Sequence, residues 1–139
     1  MLYQKFDNTY VIRLERGDEV VACLHDLVQK ENIALANVSG IGACDSAIVG
    51  VYDLTKKKYH SNHLLGAMEI TSLVGNITTM NGQSYVHVHV NLGMLDGSVK
   101  GGHLNEAVIS ATGELMVTAI NGSVDRFKDE ESGINYLKL

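Results

Sequence analysis

Histidine both ligates transition metals and changes charge near neutral pH, and this sequence sets two of them one residue apart in "SYVHVHVNLG" at residues 84 to 93. Successive side chains of a β-strand point to opposite faces. His87 and His89 therefore share a face with Tyr85 and Asn91, while Val86, Val88 and Val90 take the other. The valines have a core to enter. The imidazoles stand about 7 Å apart along the strand, close enough to lean onto one ion. His103 follows two glycines in "VKGGHL", where a chain without Cβ atoms can pass tightly beside a pocket. Three imidazoles suit Zn²⁺ and leave one coordination position for water or another ligand; Fe²⁺, Ni²⁺ and Mn²⁺ accept the same donors. The spacing leaves an alternative open, in which the HxH pair lies on a wet sheet face or a subunit seam and His103 caps a turn.

Glu69, which opens "EITSLVGNI", is the candidate catalytic carboxylate. Beside a metal-bound water it would accept a proton and permit hydrolysis or hydration. Its alternatives are to pair with Arg13, to hold a backbone turn, or to ligate the metal itself. Metal-binding histidines need a partner for the nitrogen turned away from the ion, and Asn76, Asn91 and Glu106 are candidates for that role. His60 and His63 in "YHSNHLL" read as loop histidines near a binding surface, and His25 as a surface side chain. Cys23 and Cys44 form no CxxC pair and are expected to be ordinary reduced thiols of a cytoplasmic protein.

The elements that must position these residues are visible in the apolar periodicity. "YVIRLERGDEV" predicts a short strand through Leu14, with Asp18 capping a helix whose stripe is Val20, Val21, Leu24, Leu27 and Val28. "IALANVSGIGACDSAIVGVYDL" predicts two strands around a close glycine turn. Its "GIGACD" is not a dinucleotide-binding GxGxxG, since no helix follows it. Asn81-Gly82 predicts a hairpin turn that places the histidine pair on an internal strand. "GSVKGGHLNEAVISATGELMVTAI" adds further strand segments, and "VDRFKDEESGINYLKL" an acidic turn with an apolar end that docks on the body or on a neighbouring subunit. The fold class is α+β, one amphipathic helix against a largely antiparallel sheet.

With 139 residues, 45% hydrophobic and 19% charged, the chain fits a single domain, 1–139, able to bury a core without disulfides. Its opening segment becomes charged before any long apolar run, so neither a secretory core nor a membrane span is predicted there. Acidic residues outnumber basic ones 16 to 11, for a net charge of -5. That balance argues against a large phosphate-binding surface and limits any DNA contact, through Lys56, Lys57, Lys58 or Lys100, to a weak and salt-dependent one.

The chain resembles the plants and prokaryotes conserved (PPC) domain. The resemblance is carried by "YVIRLERGDEV", "ALANVSGIGACDSAIVGVYD", "EITSLVGNITTMNGQSYVHVHVNLG", "GGHLNEAVI" and "FKDEESGINYL", in that order over residues 8 to 137. It implies a seven-stranded antiparallel sheet, assembly as a homotrimer, and His87, His89 and His103 as the metal ligands. Plant relatives join such domains to AT-hook DNA-binding segments, and prokaryotic ones are often described as DNA-binding. This chain has no "RGRP"-like hook and no proline. The expected function is a metal-binding trimeric module with a regulatory or weak DNA-binding role. The alternative is a zinc-dependent hydrolase or hydratase acting on a small molecule at the metal.

Overall fold

A computed structural model describes residues 1–139. Strand β1 (Leu2–Phe6) turns at Asp7, whose φ is 50°, into β2 (Thr9–Glu15). Tyr10, Ile12 and Leu14 of β2 are buried while the residues between them face out, the period-two pattern of a half-covered strand. Helix α1 (Val20–Glu31) buries Val20, Cys23, Leu24, Leu27 and Val28 and packs on the sheet. Its cap corrects the expectation for Asp18. The Glu19 carboxylate accepts the N–H groups of Val21 and Ala22, and its Oε1 also accepts from Ala107 N at 2.9 Å, pinning the helix start to the sheet. Asp18 is engaged elsewhere, accepting from Glu15 N at 2.8 Å and pairing with the Met1 amino group at 2.7 Å.

The remaining sheet consists of β3 (Ala36–Asp53), β4 (Lys58–Met80), β5 (Gln83–Met94) and β6 (Val99–Ala119). Where two strands around a turn were expected, β3 is one long strand. Register shifts at Gly40/Gly42 and Cys44/Ser46 bend it without ending its pairing, as bulges do. Likewise the "GSVKGGHL…" stretch forms a single strand, β6. The order is β1-β2-β6-β3-β4-β5, and β6 pairs with β5 as well, so β3, β4, β5 and β6 form a closed ring. All these pairings are antiparallel. The expected Asn-Gly turn joins β4 to β5, with positive φ at both Asn81 and Gly82.

The short strands β7 (Arg126–Lys128) and β8 (Asn135–Leu137) pair with each other in a second sheet. The architecture is therefore a six-stranded sheet plus a two-stranded one, rather than seven strands in one sheet. One cluster of 27 buried apolar residues draws on the helix and on β2 through β6. Both cysteines are buried free thiols, and burial pushes the Cys44 thiol up to about 11, which suits packing rather than nucleophilic chemistry. No helix is long and apolar enough to cross a membrane.

Candidate metal centre

The valine face of β5 decides where the histidines go. Val88, Val90 and Leu92 are buried in the core, so His87 and His89 are turned outward. Strand β6 then runs back beside β5 and sets His103 directly opposite His89. The two glycines before His103 make that closure sterically possible. A Cβ on Gly101 would meet the Val90 carbonyl oxygen at 2.2 Å, and one on Gly102, at φ +150°, would meet the Gly50 oxygen at 2.6 Å. At this point β6 passes between β5 and β3 with no room for side chains.

The three rings pack mutually, with centroids 5.2 Å (His87–His89), 5.2 Å (His87–His103) and 5.5 Å (His89–His103) apart. One nitrogen from each lies within 4.8 Å of the others. The Nε2 atoms of His87 and His89 are 3.3 Å apart. Two nitrogens each about 2.0–2.1 Å from a tetrahedral ion lie about 3.3–3.4 Å from one another. That pair is thus already at ligand spacing, and His103 offers a third ring nitrogen within 4.8 Å of both.

Burial, the nearby Arg126 guanidinium and the other two histidines push His87 down to about 4, so its ring is neutral at physiological pH. Burial and then His89 lower His103 too. Neutral imidazole is the form that coordinates metal. Tyr59 packs edge-on against His103, with ring centroids 6.2 Å apart, and lies across Gly50, where a Cβ would meet its ring at 2.3 Å. Tyr85 stands edge-on to His87.

Arg126 escaped the sequence reading. It lies in β7, only 6% exposed, with its guanidinium over the Tyr85 ring. Nε donates to Thr78 Oγ1 at 2.8 Å, one terminal nitrogen to the Asn135 carbonyl at 2.9 Å, and the other to Asn76 Oδ1 at 2.8 Å and His87 Nδ1 at 3.4 Å. Asn76 thus reaches the triad through Arg126. Asn91 donates to Ser72 instead, and the exposed Glu106 makes no hydrogen bond to the cluster.

The other candidates are not drawn in. Glu69 is exposed and pairs across the sheet with Ala43 and Gly93, four residues beyond His89, a separation of roughly 13 Å along the strand. Arg13 pairs with Glu15 rather than with Glu69. His60 and His63 lie on β4, not in a loop, exposed opposite Val51 and Ile48. His25 is half-buried, 3.4 Å from Ser84 Oγ. Lys56, Lys57 and Lys58 are exposed at the β3–β4 turn, and Lys100 is exposed on β6.

Elsewhere on the outer sheet face, Leu2, Val11, Ile41, Val74 and Met116 are exposed along an open groove of about 790 Å³. Val74 pairs with His89, so this apolar surface runs up to the triad.

Comparison with known proteins agrees with this architecture. No curated protein matches. Among solved structures, a candidate DNA-binding protein from Bacteroides thetaiotaomicron superposes with a TM-score of 0.96 at 29% identity, over 99% of this chain and 96% of its own. A metal-containing protein from Archaeoglobus fulgidus is 31% identical, with a TM-score of 0.87 over 100% of this chain and 99% of its own. A plant- and prokaryote-conserved protein from Pyrococcus horikoshii is 28% identical, with a TM-score of 0.86 over 99% and 96%. The model of the Plants and Prokaryotes Conserved (PCC) domain matches residues 1–121, all of α1 and β1 to β6, and the chain belongs to that family.

Proposed function

We propose that this chain is a metal-binding module, with His87, His89 and His103 as ligands, that assembles as a homotrimer and acts in regulation with at most a weak DNA contact. The 3.3 Å separation of the His87 and His89 Nε2 atoms, with His103 facing them, is the observation that carries the metal assignment. The metal-containing relative from Archaeoglobus fulgidus supports it. Zn²⁺ is the preferred ion, since three neutral nitrogen donors without a thiolate suit it and leave a position for a small ligand.

Assembly is supported by the continuous apolar surface around Ile41 and Val74, which water covers poorly. The DNA role rests on the candidate DNA-binding relative. A net charge of -5 and a short lysine run keep the contact weak, dominated by phosphates and lost as salt rises. A hydrolase or hydratase reading would use the same open position. It ranks second because, within one chain, Glu69 stands too far from the triad to serve a metal-bound water.

Metal analysis after Zn²⁺ loading and extensive dialysis tests the reading. About one ion per chain in the wild type, and loss of it in His103→Ala, is the expected result. No retained or restorable transition metal in the wild type would end it.

A further inference from the structure

The C-terminal hairpin lies beyond residues 1–121, over which the family model matches, and it delivers the one buried cation beside the triad. The three ion pairs of the molecule join Met1 to Asp18, Arg13 to Glu15 and Lys56 to Asp53, so no carboxylate neutralises Arg126. Resting on the triad as a metal site, we propose that Arg126 opposes metal binding there: an ion on His87 and the seated C-terminal hairpin compete.

A guanidinium has only N–H groups to offer, and a neutral imidazole has one N–H and one lone pair. Because Arg126 donates to His87 Nδ1, that nitrogen holds the lone pair and Nε2 carries the proton. The Nε2–H then points at His89 Nε2, 3.3 Å away, which makes a self-consistent relay from Arg126 through His87 to His89. A metal must take the Nε2 lone pair, since Nδ1 is occupied by Arg126. The single proton of His87 then sits on Nδ1, facing an arginine N–H, so two donors and two positive centres oppose each other.

Ligating histidines ordinarily give their second N–H to an acceptor, which strengthens them as ligands. Here the arrangement is reversed. Relief comes from withdrawing Arg126, and Arg126 is the anchor of the hairpin. Its fork holds Thr78, Asn76 and the Asn135 carbonyl, alongside bonds from Thr79 N to the Val124 oxygen and from Asn135 to the Tyr85 hydroxyl. Linkage is reciprocal: whatever the hairpin costs the metal, the metal costs the hairpin.

Zn²⁺ affinity, measured by competition with a chromophoric chelator, should be tighter in Arg126→Met than in the wild type by about tenfold or more, equivalent to about 1.4 kcal/mol. In the wild type, Zn²⁺ should accelerate amide hydrogen exchange at Thr79 and Lys138, whose N–H groups bond the Val124 and Asp125 carbonyls. In the metal-free protein, ¹⁵N spectra should show His87 protonated at Nε2. Equal or weaker Zn²⁺ binding by a folded Arg126→Met overturns the competition, as does slower exchange of the hairpin on loading. If the variant does not fold, the wild-type exchange measurement decides alone. A wild type that binds Zn²⁺ with an unaltered variant removes only this inference; absence of binding in both proteins removes the triad assignment with it.

Discussion

The histidine cluster and the depression beside Glu69 both place ionisable side chains on the outer face of the sheet, and only the first has them converge. At the closure of β5 on β6, three histidines from two strands meet within 4.8 Å, because the register puts His103 opposite His89 and glycines 101 and 102 let the strands close. Farther along the same face, Glu69 and Glu114 line a shallow depression with Thr71 and Thr112, exposed and without a cation. Residue type is chemically promising in both. What separates them is strand closure: where two strands bring side chains to one point and the backbone has no Cβ in the way, the ionisable groups cluster.

The largest expected effect falls on metal retention. His87→Ala, His89→Ala and His103→Ala should each remove most of the bound ion, because two imidazoles hold Zn²⁺ far less tightly than three. Glu69→Gln should leave the ion content unchanged. An equal loss in Glu69→Gln, read by elemental analysis, would erase the distinction between the two places.

Next in size is assembly. Ile41→Asp or Val74→Asp places a charge on the apolar surface, and light scattering should report a trimer in the wild type and mostly monomer in either variant. A monomer in the wild type across a broad concentration range would leave that surface without the proposed occupant. A smaller effect belongs to Gly50→Ala, whose new methyl group would displace the Tyr59 ring from beside His103. About 1–3 kcal/mol of stability should be lost in thermal or denaturant unfolding, as for overpacked sites. A neutral result would mean that Tyr59 yields freely and does not brace the triad.

A pH dependence follows from the burial of His87. His87 titrates near 4 in the folded metal-free protein, against about 6.5 when unfolded. Between those values the unfolded chain binds more protons, so stability rises with pH through the window and falls as pH drops from about 6.5 toward 4. Replacing His87 with Gln should flatten that segment of the stability profile. An unchanged slope would show that other groups set it.

Much of the site is legible in the sequence, and particular residues explain the rest. The alternation in "SYVHVHV" is enough to turn His87 and His89 to one face, and "GGH" marks a tight backbone passage. Long-range register is what joins His103 to His89, and no local pattern encodes that pairing. The same limit explains Glu69, which looks close to the sheet core in the sequence but lies four pairs along the strand. β3 reads as two strands because glycine bulges resemble turns locally, while its continuity is set by partners on both sides. Glu19 displaces Asp18 as the cap because its longer side chain reaches both the helix and Ala107. Arg126 is invisible beforehand: a single arginine in "VDRF" gains meaning only when the hairpin folds back on Thr78 and His87.

Crystals of the Zn²⁺-loaded protein, with anomalous diffraction recorded at the zinc edge, decide whether the three histidines hold the ion. One anomalous peak per chain is expected, about 2.0–2.1 Å from a nitrogen of each of His87, His89 and His103. A loaded crystal with no peak among these rings, or with zinc held elsewhere on the chain, would contradict it.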